Sequence, residues 1–143
     1  MKVPVHRLDP DLPLPAYARA GDAGLDLLAA EDVTLDPGER GAVRTGIELA
    51  IPDGYAGFVH ARSGRAAKEG LAVVNAPGVI DSGYRGEVKV LLVNLDRSEP
   101  IHLKRGDKVA QLVVQPVVRV ELAEVEALEG SERGAGGFGS SGR

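Results

Sequence analysis

Five short polar clusters in this 143-residue chain contain the residue types a catalytic or ligand-binding site needs. The richest is Asn75 to Glu87, NAPGVIDSGYRGE, in which three glycines and a proline surround Asp81, Tyr84 and Arg85. A carboxylate can orient or deprotonate water, and a ring can pack under a flat ligand. Glycines let that ligand approach main-chain N–H and C=O groups closely. Asp and Gly are also ordinary turn residues, so this stretch gains its weight from its companions.

Arg62, Ser63 and Gly64 place a guanidinium fork, a hydroxyl and backbone N–H groups within three residues, a set suited to phosphate oxygens. Asp26, in AGLDL, stands between Leu25 and Leu27, so on a strand it faces away from both. It is either a solvated carboxylate or a functional one. Gln111, in RGDKVAQL, is a neutral amide among apolar neighbours; its hydrogen bonds come from the fold or from a ligand. Last comes RGAGGFGSSG within the terminal segment 130–143, where six of fourteen residues are glycine. Such a segment builds no core. It is either a solvated tail or an arm whose glycines, hydroxyls and Arg133 suit a polyphosphate and whose Phe138 suits a base. It lacks the Gly-Lys-Ser/Thr of a Walker A loop. Fixing ten residues of it costs roughly 10–20 kcal/mol of backbone entropy, against about 1–3 kcal/mol from one ring stacked on a base. Phosphate contacts must therefore contribute to any ordering of the arm.

The elements that must position these clusters read as short strands. Val3 to Arg7 alternates, with Pro4 marking an edge, and prolines 10, 13 and 15 make an extended connector. Val33 to Leu35, Ile47 to Ile51, Tyr55 to His60, Leu71 to Val74 and Val88 to Asn94 follow with Gly and Pro punctuation. The stretch between the last two reads as a turn-rich hairpin, and Arg105 to Lys108 as a turn opening a further strand. The best helical candidate is a turn or so at Arg65 to Glu69. This pattern argues an all-β sandwich or barrel, one domain over 1–129 followed by a flexible glycine-rich arm over 130–143.

Composition excludes several functions. With no cysteine there is no disulfide, thiol nucleophile or thiolate metal site. The formal charge of −4 argues against a general nucleic-acid grip, and two Phe, three Tyr and no Trp exclude a platform of several rings. No run approaches membrane-spanning length and the start has no signal-like apolar region, so a cytoplasmic protein with no membrane partner is expected.

In order and spacing, AGLDL, RSG, NAPGVIDSGYRGE, RGDKVAQL and RGAGGFGSSG resemble the five motifs of the trimeric deoxyuridine triphosphate nucleotidohydrolases, the dUTPases, over residues 20 to 143. The resemblance implies a β-clip subunit, a distorted jelly-roll barrel assembled as a homotrimer, with the arm closing over a neighbour's site. It implies hydrolysis of dUTP to dUMP and pyrophosphate by water attack on the α-phosphorus, assisted by Mg²⁺ held by the triphosphate. That reaction keeps uracil out of DNA and supplies dUMP for thymidylate synthesis.

Carried over by motif, Asp81 resembles the general base and also touches the sugar, with Gln111 near the α-phosphate and the water. A carboxylate is a weak base for water, so position and Mg²⁺ must supply most of the effect. Asp26 resembles the carboxylate that holds the ion through its water shell, an arrangement suited to a metal that dehydrates reluctantly. Arg62, Ser63 and Gly64 would hold the β-phosphate, and Arg133, Gly139, Ser140 and Ser141 the γ end. Tyr84 would exclude a 2′-hydroxyl. Asn75, Val79, Ile80 and the backbone at Lys89 would read uracil, capped by Phe138. Ala61 and Arg65 depart from the family's usual flanks of Arg-Ser-Gly, Pro before and an apolar residue after. Two rivals share part of this pattern. A dCTP deaminase needs a glutamate on the strand after the hairpin, where this chain has Leu91. A non-catalytic nucleotide sensor would bind dUTP without turnover.

Overall fold

Residues 1–137 are described by a computed structural model. Among these residues, ten strands and one short helix fold as two four-stranded sheets and a two-stranded ribbon, with the core between the sheets. The first sheet contains β1 (Val5–Arg7), β4 (Arg40–Leu49), β8 (Glu87–Asn94) and β6 (Leu71–Val73) in the order β1-β4-β8-β6. The second contains β2 (Leu25–Leu28), β10 (Lys108–Pro116), β5 (Tyr55–His60) and β7 (Gly78–Ile80) in the order β2-β10-β5-β7. The ribbon pairs β3 (Val33–Leu35) with β9 (Ile101–Leu103). Every pairing is antiparallel. The all-β architecture expected from the spacing of strands and turns is present.

Alternation explains the layers. Along β8, Val88, Val90, Leu92 and Asn94 point inward while Lys89 and Leu91 point out, the period-2 signature of a strand with one face buried. The inward residues meet Leu27, Val43, Val59, Leu103, Val109 and Leu112 in one apolar cluster. Asn94 is fully buried yet satisfied: its Nδ2 donates to the carbonyls of Leu35 and Glu99, and its Oδ1 accepts from Asp96 N. It is the structural amide that fastens the β8–β9 loop.

Two features depart from the simple strand pattern. The stretch between β6 and β8 is no plain hairpin, because β7 within it leaves its neighbours' sheet and pairs with β5 in the other, Phe58 opposite Val79. It thereby stitches the two sheets together. β10 carries a bulge between Lys108 and Ala110 against β2, where the consecutive residues Val109 and Ala110 are both buried. The extra residue shifts the phase of alternation. Beyond Pro116 no strand or helix forms among the described residues, and Val118, Val120, Leu122 and Leu128 are exposed.

Candidate active site

The cleft of interest, about 920 Å³, opens where β2, β10 and β5 lie side by side. Register places Asp26, Gln111 and His60 in one row across these strands, Gln111 opposite both others. Residues directly opposite in antiparallel strands share a face, so the row forms the cleft floor; all three line it. The β10 bulge turns Lys108 toward one member of this row, Asp26. Unbroken alternation would send residues 108 and 111 to opposite faces, yet Lys108 Nζ reaches Asp26 Oδ2 at 2.7 Å.

Gln111 is tightly held. Its Nε2 donates to the Ala61 carbonyl at 2.9 Å, and its side chain lies across Gly24, where a Cβ would sit 2.5 Å from Oε1. The fold thus satisfies its N–H, and its side chain borders the cleft.

Helix α1 (Ser63–Glu69) begins at the cleft rim. Arg62 is its extended N-cap residue and Gly70 its left-handed C-cap, with the Gly70 N–H donating to Ala66 O, the usual way a chain leaves a helix. The expected turn at Arg65 to Glu69 thus starts two residues earlier and takes in Ser63 and Gly64. Arg62 Nε pairs with Asp26 Oδ1 at 3.2 Å. Asp26 is nearly buried and receives a cation on each oxygen, so it is no solvated edge carboxylate. Asp22, Arg65, Lys68 and Glu69 complete the charged lining.

The Asn75–Glu87 stretch lies elsewhere: of its residues, only Ala76 lines the cleft. Asp81 opens an exposed turn closed by Tyr84 N donating to Asp81 O. Arg85 donates to the carbonyls of Ser82 and Tyr84, at 2.6 and 2.7 Å, and so braces this turn. The Tyr84 hydroxyl donates to Glu87 O at 2.9 Å, and the hydroxyl end of its ring lies against Gly86, where a Cβ would come within 2.6 Å of the hydroxyl oxygen. Val79, Asn75 and Lys89 are exposed. Ile80 is not: its side chain belongs to the core, which corrects the expectation that its side chain is open to a ligand. Arg133 donates to Gly136 O in a turn of its own and does not line the cleft. Phe138, Gly139, Ser140 and Ser141 lie outside the described residues.

Sequence reasoning missed His60 and Lys108. The signal for His60 was its register with Gln111, which becomes visible only once β5 and β10 are paired. Away from the cleft, Arg105 grips Asp9 through two hydrogen bonds, at 2.8 and 3.0 Å, and holds that carboxyl below its ordinary range. The Arg105 N–H, followed by Lys104, does the same for Asp32.

Comparison with known proteins supplies the context. The family model for dUTPase matches residues 11–142. The deoxyuridine 5′-triphosphate nucleotidohydrolase of Thermobifida fusca is 63% identical over 142 residues, spanning 99% of this chain and 79% of that protein. Among solved structures, the dUTPase of Staphylococcus bacteriophage 80alpha with dUpNHpp superposes with a TM-score of 0.91 at 31% identity, covering 99% of each chain. A mutant dUTPase from phage phi11 of S. aureus, described as coordinating a structural Mg(II) ion, has a TM-score of 0.81 at 29% identity over 89% of this chain and 98% of its own.

Proposed function

The chain belongs to the dUTPase family, and from that membership we infer how its cleft and its exposed turn divide the labour of hydrolysing dUTP to dUMP and pyrophosphate. In this reaction water attacks the α-phosphorus, the bond from that phosphorus to the bridging oxygen breaks, and the pyrophosphate leaves. It removes dUTP before uracil enters DNA and yields the precursor of thymidylate.

One observation carries the assignment of the triphosphate to the cleft: Asp26, Arg62, Ser63, Gly64 and Gln111, from three separate segments, line one cavity. We assign Arg62, Ser63 and Gly64 to the β-phosphate region and Gln111 to the α-phosphate and attacking water. Asp81 is assigned as the base that orients this water, Tyr84 as the ring beneath the deoxyribose, and Asn75, Val79 and the backbone of Ile80 and Lys89 as the uracil reader. A cytosine would set a donor where uracil sets an acceptor and leave buried polar groups unpaired. Arg133 with the segment bearing Phe138, Gly139, Ser140 and Ser141 is assigned to the γ-phosphate and the base cap, making 130–143 an arm separate from the domain over 1–129.

Because the Asp81 turn stands apart from the cleft of its own chain, the complete site requires a second copy, and a homotrimer is the assembly we propose. A closed ring of three presents the cleft of one subunit to the turn of the next.

The residues present fit a magnesium ion held at second hand. Among the described residues there is no group of three or more His, Asp or Glu able to ligate a metal. Asp26 already receives Arg62 and Lys108, but a carboxylate offers about four lone-pair sites and can still accept hydrogen bonds from a hydrated ion. Bound there with the triphosphate, Mg²⁺ would offset phosphate charge. No helix among the described residues is long and apolar enough to cross a membrane; we place the protein in the cytoplasm with the nucleotide pool.

Pyrophosphate release with Mg²⁺ from dUTP, dCTP, dTTP and UTP tests the reading. Release from dUTP alone is expected; equal turnover of UTP would refute the role of Tyr84, and ammonia from dCTP would favour a deaminase. Asp81→Asn should abolish turnover while changing nucleotide affinity by less than about tenfold; an active variant would sink its assignment as base.

A further inference from the structure

Helix α1 carries Ser63 and Gly64, yet it buries none of its side chains and has no side-chain N-cap bond. Seven residues are too few to persist without tertiary support. Its far end is held by backbone: Leu95 N donates to Gly70 O at 3.0 Å, and the chain at Asp96 passes so close that a Cβ on Gly70 would sit 2.9 Å from Asp96 N. Its first turn is held by charge, through Arg62 to Asp26 and through Arg65 to Asp107.

We propose that Arg65 is a positioning residue for the triphosphate, fixing the Arg62–Gly64 cradle against β10 through Asp107. This rests on the assignment of the cleft to the triphosphate. Each nitrogen of the Arg65 fork donates to a carboxylate: Nε and Nη2 to Glu69 Oε2 at 3.0 and 2.6 Å, and Nη1 to Asp107 Oδ2 at 3.5 Å. Its side chain is about four-fifths buried, so three of its five N–H groups are spent on carboxylates and its orientation is set by them. Glu69 lies on the same helix and sets the fork's direction without anchoring it. Asp107 is the anchor, because its Oδ2 also accepts Lys104 N at 3.0 Å and its carbonyl accepts Ala29 N at 2.8 Å. The next residue, Lys108, pairs with Asp26, which pairs in turn with Arg62. A circuit of three ion pairs, closed by the peptide bond between Asp107 and Lys108, therefore runs from α1 to β2 to β10 and back. Ala61, before the N-cap, imposes no backbone restriction of its own, and the circuit supplies the missing rigidity.

The sign of one substitution separates bracing from simple charge. Asp107→Asn removes a negative charge near a site for a polyanion, so an Arg65 acting only by charge predicts tighter binding of dUpNHpp. Bracing predicts weaker binding, by about three- to fivefold for a partly exposed pair. Asn keeps an acceptor for Lys104 N, so the turn should survive. The experiment is calorimetric titration of dUpNHpp and of dUMP, with Mg²⁺, into the wild type, Asp107→Asn, Arg65→Met and the double variant. Expected are weaker dUpNHpp binding in each single variant, a double variant no worse than the weaker single, and dUMP affinity changed by less than about twofold. Tighter binding in Asp107→Asn, or losses that add in the double variant, overturns the proposal. If Asp107→Asn does not fold, Arg65→Met decides: equal losses for dUpNHpp and dUMP overturn it. A wild type that fails to bind dUpNHpp refutes the cleft assignment itself, a different failure.

Discussion

Replacing Gly24 by Ala probes how much catalysis depends on the aim of one amide. The backbone of Gly24 is not in the left-handed region, so alanine meets no conformational strain; its methyl meets Gln111. The added Cβ would lie 2.5 Å from Oε1, 3.1 Å from Cβ and 3.2 Å from Cδ, where ordinary contact begins at 3.4 Å. Relief requires a shift of roughly 1 Å, more than a packed side chain gives without leaving its rotamer, at a cost of about 0.5–1.5 kcal/mol. The bond from Nε2 to Ala61 O, worth about 0.5–1.5 kcal/mol net, is then lost or bent. Against this, alanine restricts the unfolded chain and returns about 0.4–1 kcal/mol. A net destabilisation of about 1–2 kcal/mol follows, measurable by urea unfolding at fixed protein concentration. The effect on rate should be larger. If Gln111 aims at the α-phosphate and water, a misplacement of about 1 Å lowers kcat by about a hundredfold, read by pyrophosphate release. A variant that loses stability but keeps its kcat would show that the orientation of Gln111 is irrelevant to turnover. One that loses neither would show the contact to be loose.

Gly64→Ala should behave in the opposite way: its Cβ meets nothing within 4 Å on its own chain, so stability rises by about 0.4–1 kcal/mol while the methyl takes up cleft space and KM for dUTP rises about tenfold. Gly86→Ala drives a methyl to within 2.6 Å of the Tyr84 hydroxyl oxygen and should tilt the ring, raising UTP turnover relative to dUTP in a competition assay; unchanged discrimination would separate Tyr84 from sugar selection. Arg105 depresses the folded-state pKa of Asp9, so this pair stabilises the fold above the unfolded aspartate value, about 3.9, and the contribution disappears as pH falls through the lower folded value. Asp9→Asn should therefore flatten the acid limb of the stability profile below about pH 4, followed by circular dichroism; an unaltered limb would show the pair to be inconsequential.

Much of the fold was legible because its strands alternate cleanly and break at Gly and Pro: Val33–Leu35 and Tyr55–His60 fall where the pattern puts them. β7 was not, since three residues inside a turn-rich stretch have no periodicity to show. β9 was hidden for the same reason, its partner β3 lying far off in sequence. At the site, residue chemistry singled out Asp26, Arg62 and Gln111, and the cleft gathers them. The β10 bulge concealed Lys108, because alternation read without it sends that side chain to the wrong face. His60 was hidden by pairing, since nothing local distinguishes it from a strand-end histidine. Ile80 looked available because neighbouring Val79 is, and the strict alternation of β7 buries it instead.

The separation of the Asp81 turn from the Gln111 cleft has a genetic corollary. If copies of the chain share their sites as proposed, two inactive proteins, one crippled at Asp81 and the other at Gln111, should rescue each other when coexpressed. Random assortment gives about one site in four an intact cleft from the first and an intact turn from the second. Such interallelic complementation cannot occur where every functional group of a centre resides on a single polypeptide.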